Sequence, residues 1–149
     1  MPQTLSHSPA QIVRQLLIDL SLGTLPSASG SWPVYATHEP NTPDDCVTVY
    51  DTAGTDDGRS MISGELWGHD GFQVRVRGKD HDTGWLKADA IQAGLAESVY
   101  DRTVRVSSSA YLVHAITRIG DVLTLGTEAP TSKRSLFTIN ATLSVKQLS

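Results

Sequence analysis

The chain has 149 residues, a net charge of −4 and 39% hydrophobic residues, enough to bury one core without metals or disulfides. Its longest aliphatic run, Leu16-Leu17-Ile18, is far short of the roughly 18 apolar residues a spanning helix needs, which argues against a membrane protein. Basic residues nowhere cluster beyond Arg75-Val76-Arg77-Gly78-Lys79, so no nucleic-acid-binding stripe is present.

The first 4 residues, Met1-Pro2-Gln3-Thr4, carry no basic region leading into an apolar run, so no signal peptide is expected. Cys46 is a lone cysteine, in keeping with a reducing compartment. Ser8-Pro9 reads as a helix start, with serine as N-cap and proline at the first helical position. Ile12, Val13, Leu16, Leu17 and Leu20 then form one apolar face, and Gly23 is a plausible stop. A connector rich in Pro, Ser and Gly runs from Leu25 to Ser31. Pro33 to Ala36 reads as a short edge strand, Glu39 to Asp45 as a turn region, and Cys46 to Asp51 as a strand. Thr52 to Ser60 is a polar, glycine-punctuated excursion expected to project from the body as a loop. Met61 to Trp67 is a weak strand interrupted by Gly64.

The strongest local signal lies between Gly71 and Val99. Phe72, Val74 and Val76 alternate with Gln73, Arg75 and Arg77, which places the apolar groups on a buried face and the cations on an exposed one. Gly78 and the polar run to Thr83 end that strand. From Trp85 the apolar positions 85, 88, 91, 95 and 99 follow helical spacing. Short strands follow at Thr103 to Ser107, Ala110 to Arg118 and Asp121 to Leu125. A last strand from Ser135 to Leu148 turns Phe137, Ile139, Ala141, Leu143 and Val145 inward. The fold expected is one α+β domain over residues 1–149, with a core from about 8 to 145 and flexible ends. It has two helices packed on a mostly antiparallel β-sheet in the order helix-strands-helix-strands.

Charge is segregated along the chain. Glu39 to Asp101 holds thirteen acidic and five basic residues, a balance of −8, and the chain from Arg102 onward has a balance of +4. Such asymmetry can draw identical subunits together head to tail, unless folding interleaves the two segments.

Reactive constellations are weak. His69-Asp70 and His81-Asp82, with Asp80, offer metal or general-base ligands, but the two pairs sit in predicted turns at opposite ends of the Phe72 strand, about 20 Å apart. Asp51 to Arg59 fails as a calcium loop: with Gly58 at the invariant glycine, Ala53 and Gly64 fall where acids are required. No nucleophile elbow, phosphate loop or dinucleotide fingerprint occurs, so no cofactor is implied. Cys46 reads as a small core residue. Asn140-Ala141-Thr142 is a chance glycosylation sequon. Trp32, Trp67 and Trp85 read as core anchors. Arg75, Arg77 and Lys79 are either a solvated face or a surface for the carboxylates of a neighbouring subunit.

Four segments, Asp56 to Met61, Gly71 to Arg77, Tyr111 to Ile116 and Ser132 to Asn140, resemble the tail-terminator proteins of long-tailed bacteriophages, often labelled minor capsid proteins. The similarity runs from about Ser8 to Val145. It implies a structural virion component of the phage tail, assembled in the host bacterial cytoplasm, with no enzymatic activity. Members form a homo-oligomeric, hexameric ring at the head-proximal end of the tail tube. That ring stops tube polymerisation, offers the head connector or neck protein a surface, and passes DNA through its lumen without sequence-specific binding. On this reading Thr55, Asp56, Asp57 and Arg59 form a loop contacting the tail-tube protein, and Arg75, Arg77 and Lys79 form an inter-subunit face. Competing readings are another neck or tail-completion protein, a small metal-dependent hydrolase using His69, Asp70, His81 and Asp82, and a small-molecule module with Trp67 and Trp85 in its pocket.

Overall fold

The computed structural model describes residues 5–26, 31–41, 43–59, 66–128 and 133–148. Its elements in order are α1 (Pro9–Asp19), β1 (Val34–Ala36), β2 (Cys46–Arg59), β3 (Leu66–Gly78), α2 (His81–Ser98), β4 (Tyr100–Val106), β5 (Ser109–Arg118), β6 (Leu123–Thr127) and β7 (Ser135–Gln147). The seven strands form one sheet in the order β1-β2-β3-β7-β5-β4, with β6 also paired to β7. All pairings are antiparallel except β1 with β2. The chain is therefore α+β, with helix, strands, helix and strands in roughly the order expected.

Helix α1 starts where the sequence signals it. Ser8 and Gln11 close a capping box, Ser8 N donating to Gln11 Oε1 at 3.0 Å and Gln11 N to Ser8 Oγ at 3.4 Å. Asp51, at the edge of the sheet, accepts from Ala10 N at 2.8 Å and takes up another free donor of the first turn. The helix stops at Asp19, ahead of the expected Gly23, because Ser21 adopts the left-handed conformation (φ 61°). Gly23 has a packing role instead: a Cβ there would run into the Val34 side chain. Ala10, Ile12, Val13, Leu16 and Leu17 are fully buried, each large side chain contributing roughly 2 kcal/mol. Because α1 touches both edge strands, β1 and β4, as well as β2 and β3, the sheet curls strongly around it.

Helix α2 covers the same face further along. Ala88, Ile91, Leu95 and Val99 are buried at the spacing expected, against Phe72, Val74 and Val76 of β3 and Phe137, Ile139, Ala141 and Leu143 of β7. The helix begins at His81, four residues before the first apolar position. The reason is a capping signal in the run expected to be a turn: Asp80 accepts from Thr83 N at 2.8 Å, and Asp82 sits in the first turn where the helix dipole favours an acid. That first turn packs over Phe137, touched by His81 (ring centroids 5.5 Å) and Trp85 (6.2 Å). Trp85 is no core anchor, since it remains 41% exposed.

The polar excursion at 52–60 is not a loop as far as Arg59. It continues β2, pairing with β3 through Thr55↔His69, Asp56↔Gly68, Gly58↔Trp67 and Arg59↔Leu66. His69-Asp70 consequently lies inside a strand, not a turn. Sequence alternation does not reveal this stretch, which is polar and glycine-punctuated; among the described residues β3 parts from β7 beyond Asp70↔Leu143. Residues 60–65, including most of the weak strand expected from Met61, lie outside the described ones, as do the side chains of Thr55, Asp56, Asp57, Arg59 and Trp67.

Candidate interaction surfaces

The sheet face away from the helices carries Cys46, Thr48 and Tyr50 of β2 beside Arg77, Arg75 and Gln73 of β3, and Leu136, Thr138 and Asn140 of β7. Alternation places these residues there, yet the cations do not stand in open water. Arg77 is 2% exposed. The segment 37–45 crosses this face and closes on it. Arg77 donates from Nε to the Asp44 carbonyl at 3.2 Å and from Nη2 to the Pro43 carbonyl at 2.5 Å. Its Nη1 lies 3.4 Å from Glu39 Oε1 and 3.8 Å from Glu128 Oε2. Glu128 is shared with Arg134, which also donates to the Asn41 carbonyl at 2.7 Å and lies 3.5 Å from Asp44 Oδ1.

The exposed cationic face expected of Arg75, Arg77 and Lys79 is thus corrected. Arg77 is a buried cross-link within the chain, and Arg75 lies against Glu39 at 3.1 Å with its side chain 31% exposed. Lys79 alone is exposed, its backbone N–H bonded to Asp45 Oδ1 at 2.7 Å. Burial of Arg77 is tolerable because two carboxylates and two carbonyls surround it. The match is incomplete at Arg75: its Nε and Glu39 Oε2 are close without hydrogen-bond alignment, and the neighbouring Thr48 and Thr138 hydroxyls are buried without a partner. Glu39, Asp44, Glu128 and Arg134, the residues that complete this cluster, were not visible from sequence, since no spacing rule links positions so far apart. Cys46, at the end of the same face, is fully buried, and burial pushes its thiol up to about 11, so it behaves as the core residue expected.

The second surface is the ribbon. Among the described residues, Thr55–Arg59 of β2 pair only with Leu66–His69 of β3, and β1 reaches no further than Val49. Five residues of β2 against four of β3, at about 3.3 Å each, make an extension of roughly 13–16 Å beyond the main sheet. Its root is kept narrow by glycines. A Cβ on Gly71 would strike the Ala53 carbonyl oxygen, and one on Gly54 would strike that of His69, at the first of two register shifts (Thr52/Thr55 and Asp56/Gly58). Next to this root Asp70 is pushed above the ordinary carboxylate value, first by burial and then by Asp51.

Groups suited to chemistry are dispersed. His69 Nδ1 lies 3.3 Å from Ser144 Oγ on β7, and His81 and Asp82 are at the start of α2. Among the described residues no three His, Cys, Asp or Glu side chains are grouped to hold a metal ion. A recess between α2 and strands β5 and β7, lined by Gln92, Leu95, Ile116 and Ile139 among others, has about 20 Å³ of room, on the order of a single water. Trp85 does not line it, and the Trp67 side chain lies outside the described residues.

A curled sheet with helices on one face, an ion-paired face on the other and a two-stranded ribbon leading out of it defines a small α+β domain that presents surfaces. The chain belongs to the bacteriophage tail terminator protein family, whose model matches residues 16–145. The family is one of structural tail proteins, which places the chain in the phage tail. No curated protein matches it. No helix among the described residues is long and apolar enough to cross a membrane.

Proposed function

We propose that this chain closes as a homo-oligomeric ring, hexameric by resemblance, on the head-proximal end of the tail tube. There it stops polymerisation of the tube protein and gives the head connector a surface to join. The observation that carries this reading is the family match across most of the chain, and the ribbon supports it. A two-stranded hairpin is marginal in water by itself, so a ribbon whose edges pair with no third strand among the described residues is suited to docking against a partner. Thr55, Asp56, Asp57 and Arg59 lie on it and are the residues assigned to the tube contact. DNA passes through the lumen, and a chain of net charge −4 has little tendency to hold phosphate.

The test is to polymerise the partner tube protein with and without this chain and to measure tube lengths and ends by negative-stain electron microscopy. Shorter tubes with density at one end support the terminator reading. Replacing Asp56, Asp57 and Arg59 with Ser should leave the fold intact and remove the caps. Long, uncapped tubes with the unaltered chain would overturn the reading.

A further inference from the structure

The two segments of opposite charge occupy different parts of the sheet, although Glu128 and Arg134 of the second pair across to Arg77 and Asp44 of the first. Strands β2 and β3 of the acidic segment lie side by side in one half of the sheet, and β7, β5 and β4 of the basic segment make up the other. The acidic segment also supplies α2, whose outward side carries a stripe absent from the hydrophobic-periodicity pattern. Asp82, Leu86, Asp89, Ala93 and Glu97 are all exposed, and their spacings place them within about 80° of one another on a helix of 3.6 residues per turn. Leu86 is 69% exposed between two acids, and Trp85 beside it 41%. A large aliphatic side chain held in water within a run of like charges is what a contact surface leaves bare, whereas acids alone would be a solvated face.

The complementary chemistry lies on the opposite side of the same molecule. In the basic half of the sheet Val104, Tyr111 and Val113 are buried on the helix side. Thr103, Arg105, Leu112 and Lys146 alternate with them and fall on the other face, where Thr103↔Leu112↔Lys146 and Arg105↔Ala110 are register partners. Arg105 and Lys146 are exposed there. Leu148, whose N–H bonds the Ala110 carbonyl at 2.8 Å, is 50% exposed beside them. The segment 37–45 closes over the Arg77 end of the sheet, bonding to Val49, Arg77, Lys79 and Arg134.

We infer that the α2 stripe of one copy docks on the Arg105/Lys146 face of the next, acids against cations and Leu86 against Leu112 and Leu148. The two patches differ and lie on opposite faces of one chain, so the contact is heterologous and repeats head to tail, the arrangement that generates rings when the rotation closes. This rests on the ring reading and supplies its subunit contact. It also replaces the Arg75/Arg77 face, whose charge is already neutralised within the chain.

The test is charge exchange in the full chain. Variant one carries Asp82→Lys, Asp89→Lys and Glu97→Lys; variant two carries Arg105→Glu and Lys146→Glu. All five positions are exposed, and unchanged circular dichroism and melting confirm folding. Self-association is read by sedimentation velocity at low and high salt, alone and with tail tubes. Each variant alone should associate at least about tenfold more weakly than the unaltered chain, and that chain should weaken with salt. An equimolar mixture of the two variants should recover association, because each copy's altered patch then meets the other's. Recovery separates docking from a structural effect of the substitutions. Association of either variant at the unaltered strength, failure of the mixture to recover, or an unaltered chain that stays monomeric even on tubes would overturn the inference. Tubes capped normally by both variants would overturn it while leaving the terminator reading standing. Association that follows the charge exchange without any capping would do the reverse.

Discussion

Removing the Arg77 guanidinium tests whether the ion-paired cluster holds segment 37–45 on the sheet. The informative substitution is Arg77→Met, which keeps the aliphatic stem packed and deletes only the charged head. Taking one partner from a buried ion pair costs about 3–5 kcal/mol, because the other charge is left in a poor solvent. Here Glu39 keeps Arg75 and Glu128 keeps Arg134, and the two glutamates are 15% and 29% exposed. The Pro43 and Asp44 carbonyls belong to exposed residues and can turn to water. The loss should therefore fall at the low end, about 3 kcal/mol, and with a urea m-value near 2 kcal/mol/M the midpoint should drop by about 1.5 M. Adding Glu39→Gln and Glu128→Gln to Arg77→Met should deepen the loss, since Arg75 and Arg134 then lose the carboxylates they are paired with. Urea unfolding followed by tryptophan fluorescence measures all of these. A midpoint for Arg77→Met within about 0.25 M of the unaltered chain, equivalent to the roughly 0.5 kcal/mol of an ordinary surface change, would refute the claim that this arginine anchors the segment.

Gly71→Ala should cost about 1–3 kcal/mol, because its Cβ has nowhere to go against the Ala53 carbonyl; hydrogen exchange should show faster exchange of the β2–β3 amides beyond Thr52, and unchanged protection there would remove the close-packed root. Asp70 holds its proton more tightly in the folded chain than in the unfolded one. The stability due to its acid form is then fully present below the ordinary value of 3.8 and is lost as pH rises through the raised folded value. Asp70→Asn should accordingly melt above the unaltered chain at pH 7, and the gap should close below about pH 3.8; a variant equally stable at both would show that burial does not penalise this carboxylate.

Local signals in the sequence were sufficient wherever an element faces the core. The Ile12, Val13, Leu16 and Leu17 face of α1, the 88, 91, 95, 99 stripe of α2 and the alternation of β3 and β7 all describe surfaces that must be apolar, and the structure buries those positions, Val145 at the end of β7 only in part. The misreadings come from places where that pressure is absent or reversed. The ribbon beyond Thr52 is polar and carries no apolar alternation, so its sequence reads as a loop while its backbone continues a strand. The first turn of α2 is held by a cap and by Phe137, not by apolar spacing, so it passed for a turn. Period-two reasoning put Arg77 on the correct side of β3 and still missed its burial. What covers it is a segment more than thirty residues earlier in the chain, joined by Glu128 and Arg134 from fifty residues later.

The same limit bears on the interaction surfaces. Arg75-Val76-Arg77-Gly78-Lys79 was the densest cationic run in the chain, and density made it the natural candidate for a neighbour's carboxylates. Folding answered that density within the chain: Glu39, Asp44 and Glu128 are held against these arginines and against Arg134. Arg105 and Lys146 are sparse in sequence, forty-one positions apart, yet β5 brings their strands onto one face and leaves both exposed. A charge that remains for another molecule is one the fold has not already matched, and that depends on strand order rather than on local composition. For an assembly protein, which works through surfaces, the sheet order β3-β7-β5-β4 is therefore the feature that turns an uninformative net charge into a basic half and an acidic half with a direction between them.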